Sequence, residues 1–423
     1  MHVIVVGAGI VGVCTAYSLN QQGMRVTVVD RRSGVAQEAS FGNAGMVAPA
    51  YAAPWASPGM VGRVLSGLFK PEAAIMLRPS LDPALWRWVV QWIGQCRAER
   101  YMANKQVMQR IALYSRDVLR GLREEHGFEY EQRSGYLQLL RTEHDMAGTL
   151  HARRVMEATG MPHTVLSPEE TLTFERSLSG ALETGTPLAG AIHFPQDESG
   201  NCPLFARQIG SLGERNGVNF VFNATVTHLQ LSAGVVNGVK LADGRILSAD
   251  AVVMAGGAES ASLLKPLGIK IPIQGIQGYS ANVALRPDTI GPRQAFVDEA
   301  YKTTVTPFGQ RLRIAGTAEL GATPGVLRNK ALRTLSKVGL DWLPGMLDMS
   351  RTTWWSGMRP LTPDGAPILG ASPIPRLFLN TGHGSHGWTM APGSGRVVAD
   401  IVAGKTPEID MQGLDIGRYS RKN

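Results

Sequence analysis

The sequence predicts an α/β protein, α+β overall, that combines a discontinuous parallel-sheet domain with a second, sheet-rich domain. A run of β-branched residues opens the chain and ends in a glycine-rich turn at residues 7–12. Strands followed by small-residue turns recur at 251–258 and 377–388. Since such segments form neighbouring strands of one sheet, the first domain is expected to return at the middle and the end of the chain. The predicted boundaries are 1–85, 196–275 and 352–423 for this domain, and 86–195 and 276–351 for the second.

The composition is that of a large globular protein. Of the 423 residues, 44% are hydrophobic, and the 49 glycines follow no three-residue period, which excludes collagen and disorder. The net charge of +8 suits an anionic substrate, an anionic cofactor or an acidic membrane surface. The basic residues are scattered rather than arranged in a stripe with aromatics, so no nucleic-acid partner is expected.

The three cysteines are widely separated and include no CxxC pair, so we expect neither a disulfide framework nor a metal site. Such thiols fit a reducing cytoplasm. No apolar run approaches the ~18 residues of a membrane-spanning helix. The apolar start of the chain lacks a basic leader and leads directly into the glycine turn, so we interpret it as folded protein rather than a signal peptide.

The first thirty residues have the pattern of a dinucleotide-binding unit. The strand at 3–6 leads into the sequence GAGIVG, then a helix, then a second strand that ends at Asp30. Gly7 permits the tight turn, Gly9 lets the backbone approach a pyrophosphate, and Gly12 allows the helix to pack on the strand. The helix N-terminus faces the phosphates, and Asp30 accepts hydrogen bonds from a ribose. An acid at this position disfavours a 2′-phosphate, which leaves FAD or NAD.

A second glycine turn lies near the end of the chain. The sequence GHGSHG at 382–387 follows a predicted strand and precedes a helix expected from about Ala391 to Val402, with Pro392 in its first turn. No further strand and acid follow, so this is not a complete second nucleotide site. A glycine loop before a helix N-terminus still binds anions, and we expect it to fold back onto the same cofactor. The alternative is a purely structural turn.

The segments between these turns have recognisable patterns. Residues 40–58 are rich in Gly, Ala, Ser and Pro and predict an extended loop, whereas 84–125 predict one or two long helices. Asp243-Gly244 between two apolar runs predicts a hairpin. Strands predominate from 270 to 320.

Several segments together resemble the D-amino-acid oxidase superfamily of FAD enzymes. They are the N-terminal glycine turn, AGG at 255–257, GMRPLTPDG at 357–365, and NTGHG at 380–384 with GWT at 387–389. Within this superfamily, the whole chain resembles the bacterial D-amino-acid dehydrogenase small-subunit family. The closer match rests on residues 40–45, 51–56, 197–202 and 278–280.

This resemblance implies non-covalent FAD in a Rossmann-like domain, with the sheet-rich domain over the isoalloxazine. It also implies oxidation of amino acids, D-amino acids favoured, by hydride transfer from Cα to flavin N5. Water then converts the imino acid to a 2-oxo acid and ammonia, and the electrons pass to a quinone or another acceptor. Cyclic imino acids and N-methylated glycines stay open as substrates, and an oxidase stays open as the alternative to a dehydrogenase.

Arg359, in the Arg-Pro motif of the resemblance, is the predicted ligand of the substrate carboxylate. A guanidinium fixes a carboxylate with two parallel hydrogen bonds. The alternative is an ion pair with Asp364. Tyr279, Tyr51 and Tyr301 are predicted to place a hydroxyl near the substrate, because a phenol orients a ligand without a competing charge.

The predicted FAD contacts follow from the glycine turns and from the segments that carry the resemblance. They are Gly7, Gly9, Ile10, Val11, Gly12, Asp30, Arg31, Ser40, Asn43, Ala44, Gly45, Val226, Gly256, Gly257, Gly382, His383, Gly384, Gly387, Trp388 and Thr389.

Segment 55–95 is rich in aromatic and basic residues. It contains Trp55, Trp86, Trp88 and Trp92, half of the eight tryptophans, and also Leu68, Phe69, Lys70 and Arg87. This combination predicts a peripheral contact with the inner face of the cell membrane. Internal helix packing is the alternative. We therefore expect a cytoplasmic protein that docks on the membrane.

Two other classes of protein share part of this sequence pattern. An NAD-dependent dehydrogenase expects a self-contained nucleotide half and a separate catalytic acid or base, whereas this chain returns to the nucleotide fold at its end. A flavin-binding module without turnover leaves Arg359 and the tyrosines without a common role. A flavin enzyme is therefore favoured.

Overall fold

The computed structural model describes residues 1–67 and 70–420. The strands are β1 (His2–Val6), β2 (Arg25–Val29), β3 (Met46–Val47), β4 (Ile75–Leu77), β5 (Arg133–Leu140), β6 (Thr164–Leu166), β7 (Gly190–Ser199), β8 (Asn219–Val221), β9 (Val226–Ser232), β10 (Val235–Leu241), β11 (Ile246–Ser248), β12 (Ala251–Met254), β13 (Gln274–Leu285), β14 (Ala295–Asp298), β15 (Thr303–Phe308), β16 (Arg311–Leu320), β17 (Leu347–Leu361), β18 (Ile368–Ala371) and β19 (Leu377–Thr381). The helices are α1 (Ile10–Gln21), α2 (Met60–Gly67), α3 (Pro83–Gln95), α4 (Ala98–His126), α5 (Glu143–Gly148), α6 (Leu150–Ala158), α7 (Pro168–Phe174), α8 (Ser179–Glu183), α9 (Cys202–Arg215), α10 (Ser260–Leu264), α11 (Asn329–Trp342) and α12 (Gly387–Val402).

The first sheet has the strand order β18-β19-β12-β1-β2-β8, and its neighbours run parallel except for the β18–β19 pair. β1 and β12 are apolar and buried because a central parallel strand is covered on both faces. β19 pairs with β12, so the end of the chain completes the sheet begun at its start, as predicted. The carboxyl ends of β1, β2, β12 and β19 meet at the edge where such Rossmann-like sheets bind ligands.

Each face of this sheet has its own cover. One set of alternating strand residues, including Val3, Val5 and Val253, packs with α1, α4, α9 and α12. The other set, including Ile4 and Val252, packs against the three-stranded sheet of β9, β10 and β11. The fold is therefore mixed α/β with a nucleotide-type sheet between two layers.

The second sheet has ten strands and is mostly antiparallel. Its path is β17-β13-β16-β15-β14-β5-β7-β3, with β4 beside β16 and β6 beside β7. α11 covers part of it through Ala331, Leu335, Val338 and Trp342. This sheet supplies the residues that face the carboxyl edge of the first.

The predicted division into two domains stays a proposal, and the strand pairings suggest different boundaries. β3 and β4 lie within predicted segment 1–85, yet they pair with β7 and β16 of the larger sheet. α4 lies within predicted segment 86–195, but its apolar side packs in the cluster of α1 and α12. Predicted segment 352–423 extends over residues 421–423, which lie outside the described residues.

α12 begins at Gly387, so the predicted start near Ala391 is wrong and Pro392 lies inside the helix. A short 3₁₀ turn, Gly384–His386, leads directly into the helix, so the chain is already helical before Ala391. An internal proline removes one main-chain hydrogen bond. The helix tolerates this because its residues from Trp388 to Gly395 are all buried, and packing outweighs propensity.

α3 and α4 confirm the long helices predicted for 84–125, and the pairing of β10 with β11 confirms the hairpin.

The prediction that segment 55–95 contacts the membrane is wrong for two of its tryptophans. Trp88 and Trp92 stack in the interior, with ring centroids 6.3 Å apart, because they lie on the inner face of α3. Leu68 and Phe69 lie outside the described residues. Across 1–67 and 70–420, the helices lack the combination of length and hydropathy needed to cross a bilayer.

Candidate active site

The turn after β1 leaves open space at only one of its three glycines. At Gly7, φ is +109°, and an added Cβ would lie 2.6 Å from the carbonyl oxygen of Ala255. At Gly12, an added Cβ would lie 1.9 Å from the carbonyl oxygen of Gly7. At Gly9, the nearest atom is Ser40 Oγ at 3.4 Å, and the residue lines a cleft of about 820 Å³. The backbone is therefore bare on the cleft side, where a phosphate can approach it.

Polar groups surround this turn. Asp30 directly follows β2, and its carboxylate accepts hydrogen bonds from the backbone N–H groups of Ala8 at 2.6 Å and Arg32 at 2.7 Å. Ser40 Oγ accepts a hydrogen bond from the N–H of Ile10, at the start of α1, at 3.0 Å. The acid predicted to bind a ribose is thus fixed beside the turn and lines the cleft.

The second glycine turn borders the same cleft. Gly382 and Gly384 have φ values of +81° and +56°, which favour glycine, and Gly387 begins α12. His383 lies between them, with Nε2 3.0 Å from Ser394 Oγ. Burial lowers the pKa of His383 to about 3, so its imidazole is neutral. The prediction that both turns face one ligand site agrees with this geometry.

Paired glycines on β13 and β17 make room for two large side chains that also line the cleft. On β17, Trp355, Gly357 and Arg359 alternate along one face. Gly357 pairs with Gly278 of β13. A Cβ on Gly357 would lie 2.1 Å from the Trp355 ring, and a Cβ on Gly278 would lie 2.2 Å from Arg359 Cζ. Both glycines are therefore required for the indole and the guanidinium to lie flat against the sheet.

Arg359 is a cation held by neutral partners. Its Nη1 donates to the carbonyl oxygen of Thr317 at 2.7 Å, and its Nη2 donates to that of Gly316 at 3.2 Å. The ring of Trp55 lies 5.7 Å from Cζ. No carboxylate among the described residues forms an ion pair with it. Burial lowers the pKa of Arg359 to about 10, so the guanidinium stays charged at neutral pH.

A β-bulge presents the two carbonyl groups that hold Arg359. The pairing of β13 with β16 shifts register between Gln277 and Tyr279. Opposite this point Thr317 has φ of +50°, a conformation that costs a β-branched residue roughly 1–2 kcal/mol. The strain accompanies a backbone direction in which the carbonyls of Gly316 and Thr317 both point at the guanidinium. Strain of this kind concentrates at functional sites.

The alternative role of Arg359, an ion pair with Asp364, is wrong. Asp364 lies beyond the end of β17 and accepts hydrogen bonds from Arg418 Nε at 2.9 Å and from the Tyr419 hydroxyl at 2.6 Å. The Asp364 carboxylate therefore binds residues of the C-terminal segment rather than Arg359.

Two of the three predicted tyrosines line the cleft. The Tyr279 hydroxyl donates to Glu319 and accepts from Gln277 Nε2 at 2.8 Å. The Tyr51 hydroxyl donates to Glu299 at 3.3 Å. Burial raises the pKa of both phenols, so both are neutral groups at physiological pH.

Tyr301 is placed elsewhere. Its ring covers the guanidinium of Arg141, whose Cζ lies 4.9 Å from the ring centroid, and Arg141 pairs with the buried Asp298 at 2.7 Å. Tyr301 is not among the described residues that line the cleft.

Comparison with known proteins decides the family. The chain matches the model of the FAD dependent oxidoreductase family over residues 2–401. The chain belongs to this family. Its cofactor is therefore FAD.

Full-length relatives carry a more specific name. The D-amino acid dehydrogenase of Methylobacterium radiotolerans is 41% identical over 421 residues, which cover 99% of this chain and 100% of the relative. The D-amino acid dehydrogenase of Bradyrhizobium diazoefficiens is 40% identical over 423 residues, which cover 100% of both. The solved glycine oxidase of Geobacillus kaustophilus aligns with a TM-score of 0.75 and 22% identity, covering 99% of this chain and 98% of that one. This last likeness concerns the fold alone.

The cleft fits FAD. The bare backbone at Gly9 and the N-termini of α1 and α12 face it, and these features attract phosphate and other anions. Ser385 Oγ and His386 Nδ1 are buried without a hydrogen-bond partner in the described part of the chain, and both residues line the cleft. Buried polar atoms normally have partners, so unsatisfied ones at the edge of a cleft suit a polar ligand. Burial lowers the pKa of His386 to about 4, which leaves its imidazole neutral.

Most predicted FAD residues line this cleft, and direct contact with FAD stays a proposal. The exceptions are Gly12, Gly45 and Thr389. Gly12 lies behind the first turn, and Gly45 has φ of +75° in the loop before β3. Thr389 Oγ1 donates to the carbonyl oxygen of Met46 at 3.0 Å. These three residues lie outside the lining of the cleft.

Several residues that line the cleft were not predicted from the sequence. Trp55, Trp355, Thr317, Lys302 and His386 all line the cleft. The position of Trp355 could have been predicted from the sequence. It precedes Arg359 by four residues in a strand, so both side chains lie on the same face of that strand. Thr317 and Lys302 gave no such signal, since neither residue type is typical of the positive φ that each adopts.

Proposed function

We propose that this protein oxidises amino acids, D-amino acids favoured, to 2-oxo acids and ammonia. The observation that carries this proposal is the cationic Arg359 in the cleft, which pairs with no carboxylate among the described residues. A guanidinium has five N–H donors, and two bonds to carbonyl oxygens leave three for a ligand. A buried cation needs a nearby anion, and an amino acid brings a carboxylate of matching geometry.

The chain contributes orientation to this reaction. Arg359 holds the substrate carboxylate by charge-assisted hydrogen bonds, which fixes the direction of the Cα–H bond. Tyr51 and Tyr279 form neutral walls, and their hydroxyl hydrogens are already donated to Glu299 and Glu319. When bound, FAD supplies the acceptor for the hydride from Cα. Water then adds to the resulting C=N bond, which gives the 2-oxo acid and ammonia.

The preference for D-amino acids rests on the two full-length relatives, both named D-amino acid dehydrogenase. The test is turnover of purified holoprotein with paired D- and L-amino acids, D- and L-proline and N-methylglycine, using an artificial dye as acceptor. We expect D-amino acids to give one 2-oxo acid and one ammonia per two-electron reduction. Turnover confined to proline or N-methylglycine would instead support the alternative substrate class, and no turnover with any of them would defeat the proposal.

We further propose that a quinone rather than oxygen takes the electrons. With a good D-amino acid as donor, the rate with a soluble quinone in an anaerobic cuvette is expected to exceed by far the rate of peroxide formation in air. The two rates are measured on the same preparation. Peroxide formation that matches the quinone-linked rate would identify an oxidase.

A lipid-soluble quinone requires a membrane-facing surface, and the outer face of α3 has suitable chemistry. Trp86, Val90 and Ile93 follow one another at helical spacing and are 43%, 70% and 45% exposed. Leu81, just before the helix, is 99% exposed, and Arg87 lies on the exposed side as well. Interfacial tryptophan with nearby basic residues suits an acidic phospholipid surface.

The inner face of α3 connects this surface to the active site. Trp88 Nε1 donates to the carbonyl oxygen of Leu361, two residues after Arg359, at 3.0 Å. Leu85, Trp88 and Ile276 share one apolar cluster with the strands of the larger sheet. A membrane bound to the outer face would therefore lie one helix away from the strands that carry Arg359.

Flotation with liposomes tests the proposed membrane contact. We expect the protein to float with vesicles of phosphatidylcholine and phosphatidylglycerol at low salt and less at high salt, because each basic residue near an anionic surface adds about 1 kcal/mol. The variant Trp86→Ser, Val90→Ser, Ile93→Ser should stay at the bottom of the gradient. The matched control is Ile246→Ser with Ile290→Ser, which removes apolar side chains that are 58% and 85% exposed elsewhere. Equal flotation of both variants, or none of the wild type at low salt, would contradict the proposal.

A further inference from the structure

A three-residue turn in the loop between β3 and α2 is held by buried charged side chains. Lys105 of α4 donates from Nζ to the carbonyl oxygens of Ala50 at 2.9 Å and Ala52 at 3.0 Å. Asp197 of β7 accepts from the backbone N–H of Ala50 at 3.0 Å and of Tyr51 at 3.2 Å. The turn is therefore held by a helix that packs over the first sheet and by a strand of the second sheet.

These groups are unusual because both are deeply buried. Lys105 is 1% exposed and Asp197 is 2% exposed, and their hydrogen bonds to protein go to this turn. Burial lowers the pKa of Lys105 to about 7 and raises the pKa of Asp197 to about 7. Lys105 and Asp197 form no ion pair with each other within the described residues, and each side chain instead satisfies two backbone groups of the turn. What the pair does fix is the position of one backbone turn.

The middle residue of that turn is Tyr51, which lines the cleft. Its ring lies beside those of Tyr136 and Phe194, with centroids 5.6 Å and 6.4 Å away, and its hydroxyl reaches Glu299. A shift of the turn would move the phenol relative to Arg359, which lies on a different strand. Small misplacements of an orienting group are costly in catalysis.

We propose that Lys105 and Asp197 are positioning residues that clamp the turn 50–52 and thereby hold the Tyr51 phenol, with its hydroxyl bonded to Glu299, in the wall of the substrate cleft. This inference rests on the proposed amino-acid oxidation. It predicts that the effect of loosening the clamp passes through Tyr51.

A double-mutant cycle tests this. Asp197→Asn and Lys105→Met are each expected to lower kcat/KM for the best D-amino acid about tenfold, with FAD content unchanged, whereas in a Tyr51→Phe background each should lower it less than about twofold. The matched control is Glu175→Gln. Glu175 is also 1% exposed and accepts hydrogen bonds from two backbone N–H groups, those of Ser177 and Arg293, but it does not line the cleft. The control is expected to keep the kcat/KM of the wild type.

The outcomes separate the clamp from the proposed function. An inactive wild type defeats the proposed function, whereas an active wild type with additive effects, or with Tyr51→Phe as active as wild type, overturns the clamp. Hydrogen–deuterium exchange tests the clamp in the wild-type protein, so this test requires neither turnover nor a variant that folds. In wild-type holoprotein the amides of Ala50 and Tyr51 should exchange as slowly as those of β7, and exchange at the rate of unstructured chain would overturn the clamp.

Discussion

Replacing Arg359 with lysine is expected to lower kcat/KM for amino acids by about 30-fold to several thousand-fold, or roughly 2–5 kcal/mol, while FAD stays bound. The guanidinium bonds two carbonyl oxygens at once, those of Gly316 and Thr317, and keeps further N–H groups for a carboxylate. An ammonium is a single point charge on a flexible stem and cannot reproduce this fork. Steady-state kinetics together with flavin content per protein measure the effect.

The matched control for this variant is Arg418→Lys. Arg418 is also a guanidinium held by several hydrogen bonds, among them those to Asp364 and to the carbonyl oxygens of Asp415 and Ala366, but it does not line the cleft. Its replacement should lower the thermal midpoint without a comparable loss of kcat/KM. Activity of Arg359→Lys within a factor of about three of wild type would remove Arg359 from the substrate site.

Replacing Gly9 with valine is expected to weaken FAD binding by about 5- to 150-fold while the apoprotein still folds, since overpacking of a close contact costs roughly 1–3 kcal/mol. The backbone of Gly9 has φ of −65°, which any residue adopts, and a Cβ would meet only Ser40 Oγ at 3.4 Å. The added methyl groups would instead enter the cleft where a phosphate approaches the turn. Titration of apoprotein with FAD, followed by quenching of flavin fluorescence, gives the dissociation constant.

Two further glycines provide the controls for Gly9→Val. Gly121 of α4 has open space around an added Cβ, so Gly121→Val should leave FAD binding unchanged. Gly12 would place a Cβ 1.9 Å from the carbonyl oxygen of Gly7, so Gly12→Val should destabilise the fold itself. Full FAD affinity in Gly9→Val would show that the turn does not carry the phosphates.

The features predicted correctly from sequence depend on residues that are close together in the chain. The turn at Gly7, Gly9 and Gly12 can be predicted because each glycine has a steric role at fixed spacing from the strand. The return of the chain to the first sheet at β19 was predicted from a second turn of the same kind. Arg359 was identified through a motif, and its position in the cleft agrees with the expected role.

The features that sequence could not supply depend on partners that are distant in the chain. α3 is apolar on both sides, so the pattern alone did not show that Trp88 points inward while Trp86 points outward. Thr317 has a positive φ opposite the point where the pairing of β13 with β16 shifts register, and these strands are distant in the chain. Pro392 was placed in a first turn by its general preference, which the buried surroundings of α12 overrode.

We propose that Arg359 binds the carboxylate of an amino acid that reduces the bound FAD. The most direct test is anaerobic mixing of the holoprotein with the best D-amino acid and, separately, with its carboxamide, while flavin absorbance is followed. We expect rapid bleaching by the amino acid, much slower bleaching by the carboxamide, and loss of this difference in Arg359→Lys. Equal bleaching by both compounds in the wild type, or no bleaching by any amino acid, would contradict it.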